Sequence, residues 1–356
     1  MAQEIMKQRL SSQRPAAPVA SETPKVIAAI DIGSTSVRME IAQTDGRGTR
    51  RVLDRLVHPI SLGADTFRFG TVRAETMRAL CHVLGNFRSV MEEYGVVCYR
   101  AVGTSALREA GNLDVILDRI RHESGLDVIT LDAVEEGRLT YMLLKNYFDL
   151  LPKHQSGKHP YTVVFDIGGG STEVMVLDDR DVVRTGTSRL GTLRLTYQLD
   201  DQTESGELEH LDSMIGSFVG AMDELLHDYP IGQSIIINSL LSNGNLWNCP
   251  AIDNRGTYRI GAQQIRDLTA YIRTHTAEET ARHFVISISE AELLVPTVMS
   301  LEYIIRYARA GEVYIVTLDF PSGIMMEMET ELQGRSVTDL FYQQTISSVA
   351  GIMEKY

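Results

Sequence analysis

One supersecondary unit occurs twice in this chain, and that repeat limits the fold more than any other feature. Val26-Ile27-Ala28-Ala29-Ile30 is an apolar run that enters Asp31-Ile32-Gly33-Ser34-Thr35-Ser36, and Val37 to Gln43 reads as the returning strand. Thr162-Val163-Val164-Phe165 likewise enters Asp166-Ile167-Gly168-Gly169-Gly170-Ser171-Thr172, and Glu173 to Leu177 returns. An apolar run, a tight turn of Gly and hydroxyl residues and a second strand together predict a β-hairpin. The repeated aspartates, Asp31 and Asp166, are 135 residues apart. A repeat of that period predicts a duplicated architecture in which each half opens with the same hairpin.

Between and after the hairpins, strand and helix patterns alternate, which places the chain in the α/β class. A strand fits 51–62. Met77, Leu80, Cys81, Leu84, Phe87, Val90, Met91 and Tyr94 recur at three and four and predict an amphipathic helix over 72–94. Strands at 96–102 and 128–131 flank a helix at 113–123, and a long helix is expected over 134–150. In the second half, helices are expected at 207–227, 263–274 and 290–310, strands at 234–237 and 312–318, and a terminal helix at 336–355. With 356 residues the chain has room for two domains. The expected division is a disordered tail over 1–24, a first domain over 25–137, a second over 138–335 and a C-terminal helix over 336–356.

Charge narrows the function. Lys and Arg number 34 against 47 Asp and Glu, a net charge of −13. Nucleic-acid binding needs a basic surface that replaces counterions, so none is expected. An anionic substrate is not excluded, because a local group of arginines can act against the global sign. Cys81, Cys98 and Cys249 are too few and too scattered for a disulfide framework or zinc cluster, which points to reduced thiols in a cytoplasmic protein. No run reaches the roughly 18 apolar residues of a membrane span, so no membrane partner is expected.

The turns carry the chemistry. An Asp at the end of a buried strand, followed by Gly and hydroxyl residues, presents backbone N–H groups and side-chain donors that suit phosphate oxygens. The Asp suits Mg²⁺, which prefers carboxylate, water and phosphate oxygen. A single such turn is most often a structural hairpin; two copies after a duplication suggest a ligand held between similar halves. Thr104-Ser105-Ala106-Leu107-Arg108 follows another strand, and Arg108 has the planar fork that matches phosphate. Val134-Glu135-Glu136-Gly137-Arg138 opens the long helix. Acids in a first turn fit the helix dipole, and one of them could instead serve as a general base.

Taken together, Ala29 to Ser34, Thr104 to Arg108, Glu135 to Leu139, Asp166 to Glu173 and Leu190-Gly191-Thr192-Leu193-Arg194-Leu195 resemble the exopolyphosphatase and guanosine pentaphosphate phosphohydrolase family (Ppx/GppA) in order and spacing. The resemblance is dense over 26–198 and thin beyond. It implies an actin-like, ribonuclease H-like fold: two duplicated α/β domains, each a mixed five-stranded sheet flanked by helices, with a cleft between them. It implies a phosphohydrolase that releases terminal phosphate from phosphoanhydride chains, inorganic polyphosphate or guanosine pentaphosphate, with Mg²⁺ or another divalent cation. On these positions, Glu136 matches the family's catalytic acid, and Asp166 the carboxylate that holds metal and reacting water. Asp31 and Glu173 complete the implied metal ligands. Ser34 and Thr35 in the first loop, Gly168, Gly169, Gly170, Ser171 and Thr172 in the second, and Arg108, Arg138 and Arg194 are the implied substrate contacts. Arg38 falls at a further cationic position. Relatives pair through helices, so a homodimer is compatible with the apolar side of 336–355.

The second half departs from the family. Where a Gly-Thr-Gly-Gly-Thr loop is expected, the chain has Asn238-Ser239-Leu240-Leu241-Ser242-Asn243-Gly244. Arg-Ala-Asp has become Glu290-Ala291-Glu292, and Gly-Leu-Arg-Glu-Gly has become Asp319-Phe320-Pro321-Ser322-Gly323. These changes motivate an alternative, a degenerate relative that binds polyphosphate or a nucleotide without turnover. A kinase or actin-like ATPase of the same fold is disfavoured by the missing glycine loop.

Overall fold

The computed structural model describes residues 24–45, 49–149, 160–199, 207–221, 223–308 and 313–333. The expected terminal helix and all but the last residue of the expected tail lie outside these residues. The described residues divide into two compact units, one of those up to 143 together with 319–333, the other of those within 144–318.

The first unit is built on a five-stranded sheet in the order β3-β2-β1-β4-β5. Its strands are β1 (Lys25–Ile32), β2 (Ser36–Thr44), β3 (Arg50–Pro59), β4 (Cys98–Gly103) and β5 (Val128–Thr130). β1, β2 and β3 are antiparallel neighbours, and β1, β4 and β5 run parallel. Helices α1 (Leu62–Phe69), α2 (Ala74–Glu93), α3 (Ser105–Arg108), α4 (Leu113–Ser124) and α5 (Ala133–Leu144) complete the unit with α12 (Phe320–Leu332). Side chains alternate along β1, so its two faces enter different cores. Ala28, Ile30 and Ile32 pack with Leu80, Leu84, Ile116 and Ile120 of α2 and α4. Ile27 and Ala29 pack with Leu139 of α5 and with Ile324, Met325 and Met328 of α12.

That second core corrects the expected domain boundaries. α12, expected within a second domain of 138–335, belongs to the first unit, because its apolar side covers the β1 face that would otherwise be bare. α5 stays in this unit through Leu143, so the division falls at 143/144 rather than 137/138.

The second unit holds a six-stranded sheet in the order β10-β11-β9-β6-β7-β8. Its strands are β6 (Tyr161–Ile167), β7 (Thr172–Asp178), β8 (Asp181–Ser188), β9 (Ile231–Ile237), β10 (Tyr258–Ile260) and β11 (Val313–Val316). Helices α6 (Thr192–Leu199), α7 (Glu207–Ala221), α8 (Asp223–Leu226), α9 (Ala262–Ile272), α10 (Ala277–Phe284) and α11 (Ile288–Ala308) surround it. Read from its other edge, the run β8-β7-β6-β9 repeats the pattern β3-β2-β1-β4 of the first sheet. The expectation of five strands is met in the first unit and exceeded here, because the short β10 adds an antiparallel edge to β11. Its apolar core includes Phe165, Trp247, Leu294 and Ile315. No single described helix is long and apolar enough to cross a membrane.

Candidate functional site

The two hairpin turns are built alike. In the first, Ile32 pairs with Val37 and leaves 33–36 as the loop; in the second, Ile167 pairs with Thr172 and leaves 168–171. The Gly33 N–H donates to Ser36 O at 3.0 Å and the Gly168 N–H to Ser171 O at 2.9 Å. The carbonyls then turn inward. In the first loop, Ile32 O accepts from Thr104 N, Ser34 O from Gly63 N and Thr35 O from Ile60 N. In the second, Gly168 O accepts from Thr192 N and Gly169 O from Arg194 N, both at 3.0 Å. Gly170 O accepts from Arg194 Nε at 2.9 Å, and Ile167 O from Asn238 Nδ2 at 2.8 Å. Among the described residues, the N–H groups of Ser34, Thr35, Gly169 and Gly170 donate to no group. Each loop therefore directs its negative carbonyl ends into the protein and leaves positive amide ends at its tip, an arrangement suited to anions.

In the second unit, this geometry is set by close packing. A Cβ on Gly191 would overlap the backbone of Gly169 and Gly170, so only glycine lets the 190–194 turn approach and donate to the loop carbonyls. Thr172 Oγ1 donates to Leu190 O at 2.5 Å, and Ser171 Oγ to Glu173 Oε1 at 2.7 Å. Thr172, Glu173 and Arg194 are buried, while Asp166 at the end of β6 is half-buried.

The first unit holds the charged chemistry. Asp31 is the penultimate residue of β1, is only 6% exposed, and its buried Oδ1 has no hydrogen-bond partner among the described residues. Burial pushes its carboxyl up to about 7; the Arg38 cation works against this, and the charges of Glu136 and Asp319 add to it. Glu136 lies in the first turn of α5, whose start is held by Asp132: Glu135 N donates to Asp132 Oδ1 at 2.9 Å and Glu136 N to Asp132 O at 3.0 Å. Arg108 Nη1 donates to Glu136 Oε2 at 3.0 Å and to Leu131 O at 2.6 Å. Burial raises the Glu136 carboxyl above its ordinary range, and Arg108 opposes the rise. Ser34 Oγ and Ser105 Oγ lie 3.3 Å apart, so the first loop and the start of α3 bring two hydroxyls together. Thr35 is exposed at the loop tip.

The structure thus gathers Asp31, Ser34, Thr35, Arg108 and Glu136 in the first unit, and Asp166, Gly168 to Glu173 and Arg194 in the second. Arg138 is directed elsewhere: it pairs with Glu327 of α12 and donates to Met142 Sδ at 3.5 Å. Sequence reasoning did not single out Ser105, Asn238 or Asp319 as site residues. Ser105 lay inside a quoted motif, whereas Asn238 and Asp319 stand where the family pattern is lost.

Among the described residues, no group of three or more His, Cys, Asp and Glu side chains is gathered as a ready metal centre. The donor set still fits a hard divalent cation. Asp31 offers a buried carboxylate oxygen with no partner, close enough to other acids that their charge raises its pKa, and Mg²⁺ is commonly held by one or two carboxylates plus water and phosphate oxygens.

Comparison with known proteins agrees with this architecture. The model of the Ppx/GppA phosphatase family matches residues 41–330. The chain is 24% identical over 324 residues to exopolyphosphatase 1 of Mycobacterium leprae, covering 89% of this chain and 93% of that protein. It is 29% identical over 156 residues to a guanosine-5'-triphosphate,3'-diphosphate pyrophosphatase of Aliivibrio fischeri, covering 44% of this chain but only 30% of that protein. Among solved structures, an exopolyphosphatase from Cytophaga hutchinsonii superposes with a TM-score of 0.73 at 19% identity, covering 88% of this chain and all of the other. The Aquifex aeolicus member of the Ppx/GppA family gives a TM-score of 0.67 at 21% identity, again over 88% of this chain.

Proposed function

Since the chain belongs to the Ppx/GppA phosphatase family, we propose that it is a phosphohydrolase that releases terminal phosphate from phosphoanhydride chains, inorganic polyphosphate or guanosine pentaphosphate. The observation that carries this reading is the pair of loops whose carbonyls are bound inward and whose tip amides are open. Phosphoryl transfer depends mainly on position and charge stabilisation, which such amides supply. Ser34, Thr35 and Ser105 hold phosphate oxygens in the first unit; Gly168, Gly169, Gly170 and Ser171 do so in the second.

Glu136 is the general base. Its raised pKa makes it a better proton acceptor than an ordinary carboxylate, and Arg108 keeps its carboxylate oriented. It takes a proton from water, the water oxygen bonds to the terminal phosphorus, and the leaving phosphate departs with the electrons of the broken P–O bond. A divalent cation would supply neutralisation of the phosphoryl charge when bound; Asp31 in the first unit and Asp166 in the second are each a carboxylate able to hold one. Arg108 contacts Glu136 rather than a free phosphate position, Arg194 braces Gly170, and Arg138 anchors α12; we assign these three to shaping the site. Arg38, on β2 beside Asp31, is the arginine we assign to the substrate, since among the described residues its hydrogen bonding is from Nε, donating to Ser36 Oγ at 3.2 Å.

A second reading, binding without turnover, has one specific observation behind it. The 238–244 turn is closed by Asn238 and by Trp247 Nε1 donating to Leu241 O at 2.6 Å, with Leu241 fully buried, so this segment offers no open glycine loop. Phosphate release from polyphosphate, guanosine pentaphosphate and ATP, with Mg²⁺ and with Glu136→Gln as control, decides between them. Release that Glu136→Gln removes is expected; saturable binding with no release in the wild type would establish the second reading.

A further inference from the structure

Two acids stand side by side at the start of α5, and Arg108 meets one of them. Arg108 Nη1 donates to Glu136 Oε2 at 3.0 Å, and the same nitrogen donates to Leu131 O at 2.6 Å. Leu131 is itself fixed, since its N–H donates to Gly103 O at the end of β4 at 3.0 Å. Arg108 therefore reaches from an anchored carbonyl to the Glu136 carboxylate, and a shift of the first turn breaks the second contact. Glu135 is the other acid. Its Oε2 is buried and has no hydrogen-bond partner among the described residues. A buried charged oxygen without a donor is costly, so Glu135 gains if it takes the guanidinium.

Packing does little to hold this turn. From Ala133 to Arg138 no residue is fully buried; Leu139 is the first on α5. Gly137 sits in the turn although a Cβ there would meet no other group within 4 Å, and glycine weakens a helix. A helix start also leaves its first N–H groups without intrahelical acceptors. Asp132 supplies two: its Oδ1 accepts from Glu135 N at 2.9 Å, and its carbonyl accepts from Glu136 N at 3.0 Å. The first of these bonds depends on the side chain.

We propose that Asp132 is a positioning residue that selects Glu136 over Glu135 as the partner of Arg108. This rests on the reading of Glu136 as the general base. Successive residues of a helix point about 100° apart, so the winding of the turn sets which acid faces Arg108. By holding the N–H of Glu135, Asp132 fixes the backbone of the acid that must stay away. Without that cap the turn frays, Glu135 competes for the guanidinium, and Glu136 loses its orientation. Asp132 thus acts through Glu136 rather than on the substrate.

The test follows phosphate release by the full chain from inorganic polyphosphate with Mg²⁺, or from guanosine pentaphosphate where the wild type releases none from the polymer. Asp132→Ala should lower kcat about fivefold, the scale of a lost N-cap, with KM within about twofold of wild type. Asp132→Asn, which keeps a capping oxygen, should restore most of kcat. In a Glu135→Gln background the competing acid is gone, and Asp132→Ala should then cost less than about twofold. A role confined to helix stability gives the same loss in both backgrounds, so equal losses overturn the proposal, as does wild-type kcat in Asp132→Ala. Thermal melts check folding, and Asp132→Gly, a milder removal of the same carboxylate, takes the place of Asp132→Ala if that variant does not fold. Glu136→Gln separates the two readings. If it abolishes release while Asp132→Ala leaves kcat unchanged, only the role of Asp132 falls. If release survives in Glu136→Gln, or the wild type releases no phosphate, the general-base reading fails and the role of Asp132 with it.

Discussion

The two hairpin loops share length, turn hydrogen bond and inward carbonyls, yet they differ in what surrounds them. The first loop follows a buried carboxylate with one partnerless oxygen and stands beside a second acid held by an arginine. The second loop is braced by packing and by backbone donors from 192–194, with Glu173 bonded to Ser171 and Asn238 stitched to Ile167. The same cradle occurs twice, with buried acids beside one copy and close packing around the other. A loop that must only hold an anion gains from fixed amides; a loop that hosts chemistry gains from a carboxylate kept away from water.

If that division holds, the largest effect belongs to the first unit. Glu136→Gln should lower kcat by about 10²–10⁴-fold in phosphate-release assays, the range for loss of a general base, while the thermal melt stays near wild type. A drop of less than threefold would remove Glu136 from the chemistry.

Asp31 gives the next effect, and its sign is set by burial. In the unfolded chain this carboxyl ionises near 4, whereas in the folded protein it holds its proton to about 7. The folded state therefore binds more protons between those values, and stability falls as pH rises from 4 to 7. Asp31→Asn removes that loss. In chelator, the variant's stability relative to wild type should rise across this window by on the order of 4 kcal/mol, read from urea unfolding at pH 4 and pH 8. A pH-independent difference would contradict the burial argument.

In the second unit the expected losses are of shape. Gly191→Ala inserts a methyl group where Gly169 and Gly170 already lie, and should cost about 1–3 kcal/mol in denaturant unfolding, as overpacking does. It should also raise KM more than it lowers kcat. The smallest effect is expected from Asn238→Ala, which leaves Ile167 O and Leu241 N without their side-chain partner. Leaving such groups unsatisfied costs about 1–3 kcal/mol if they are sealed from water and less here, where the contact is only partly buried. A kcat collapse in Asn238→Ala with unchanged KM would blur the contrast between the loops.

How far these features were legible depends on whether they are local. The hairpins, the amphipathic α2 and the strand ends were readable because alternation, three-four spacing and Gly-rich turns leave their mark within ten or twenty neighbouring residues. Glu136 and Arg108 were readable through motifs, though their ion pair was not. β8, β10, α1, α3, α6, α10 and α12 escaped. α12 begins Phe320-Pro321-Ser322-Gly323-Ile324-Met325-Met326, whose small and flexible residues give weak periodicity, and its place is set by the β1 face some 290 residues earlier in the chain.

By itself, then, the chain's order of residues determined the duplicated hairpin, the α/β class and the Gly- and hydroxyl-rich turns at the strand ends, since each is written in a short stretch with its own steric or periodic signature. Tertiary structure alone decided that Asp31 would be buried with one oxygen left without a partner, that Arg108 would hold Glu136, that Arg138 would turn to Glu327, and that Asp319 would return to the first unit. Those outcomes depend on desolvation and on charges brought together from distant segments, and neither exists until the sheet and its covering helices have packed.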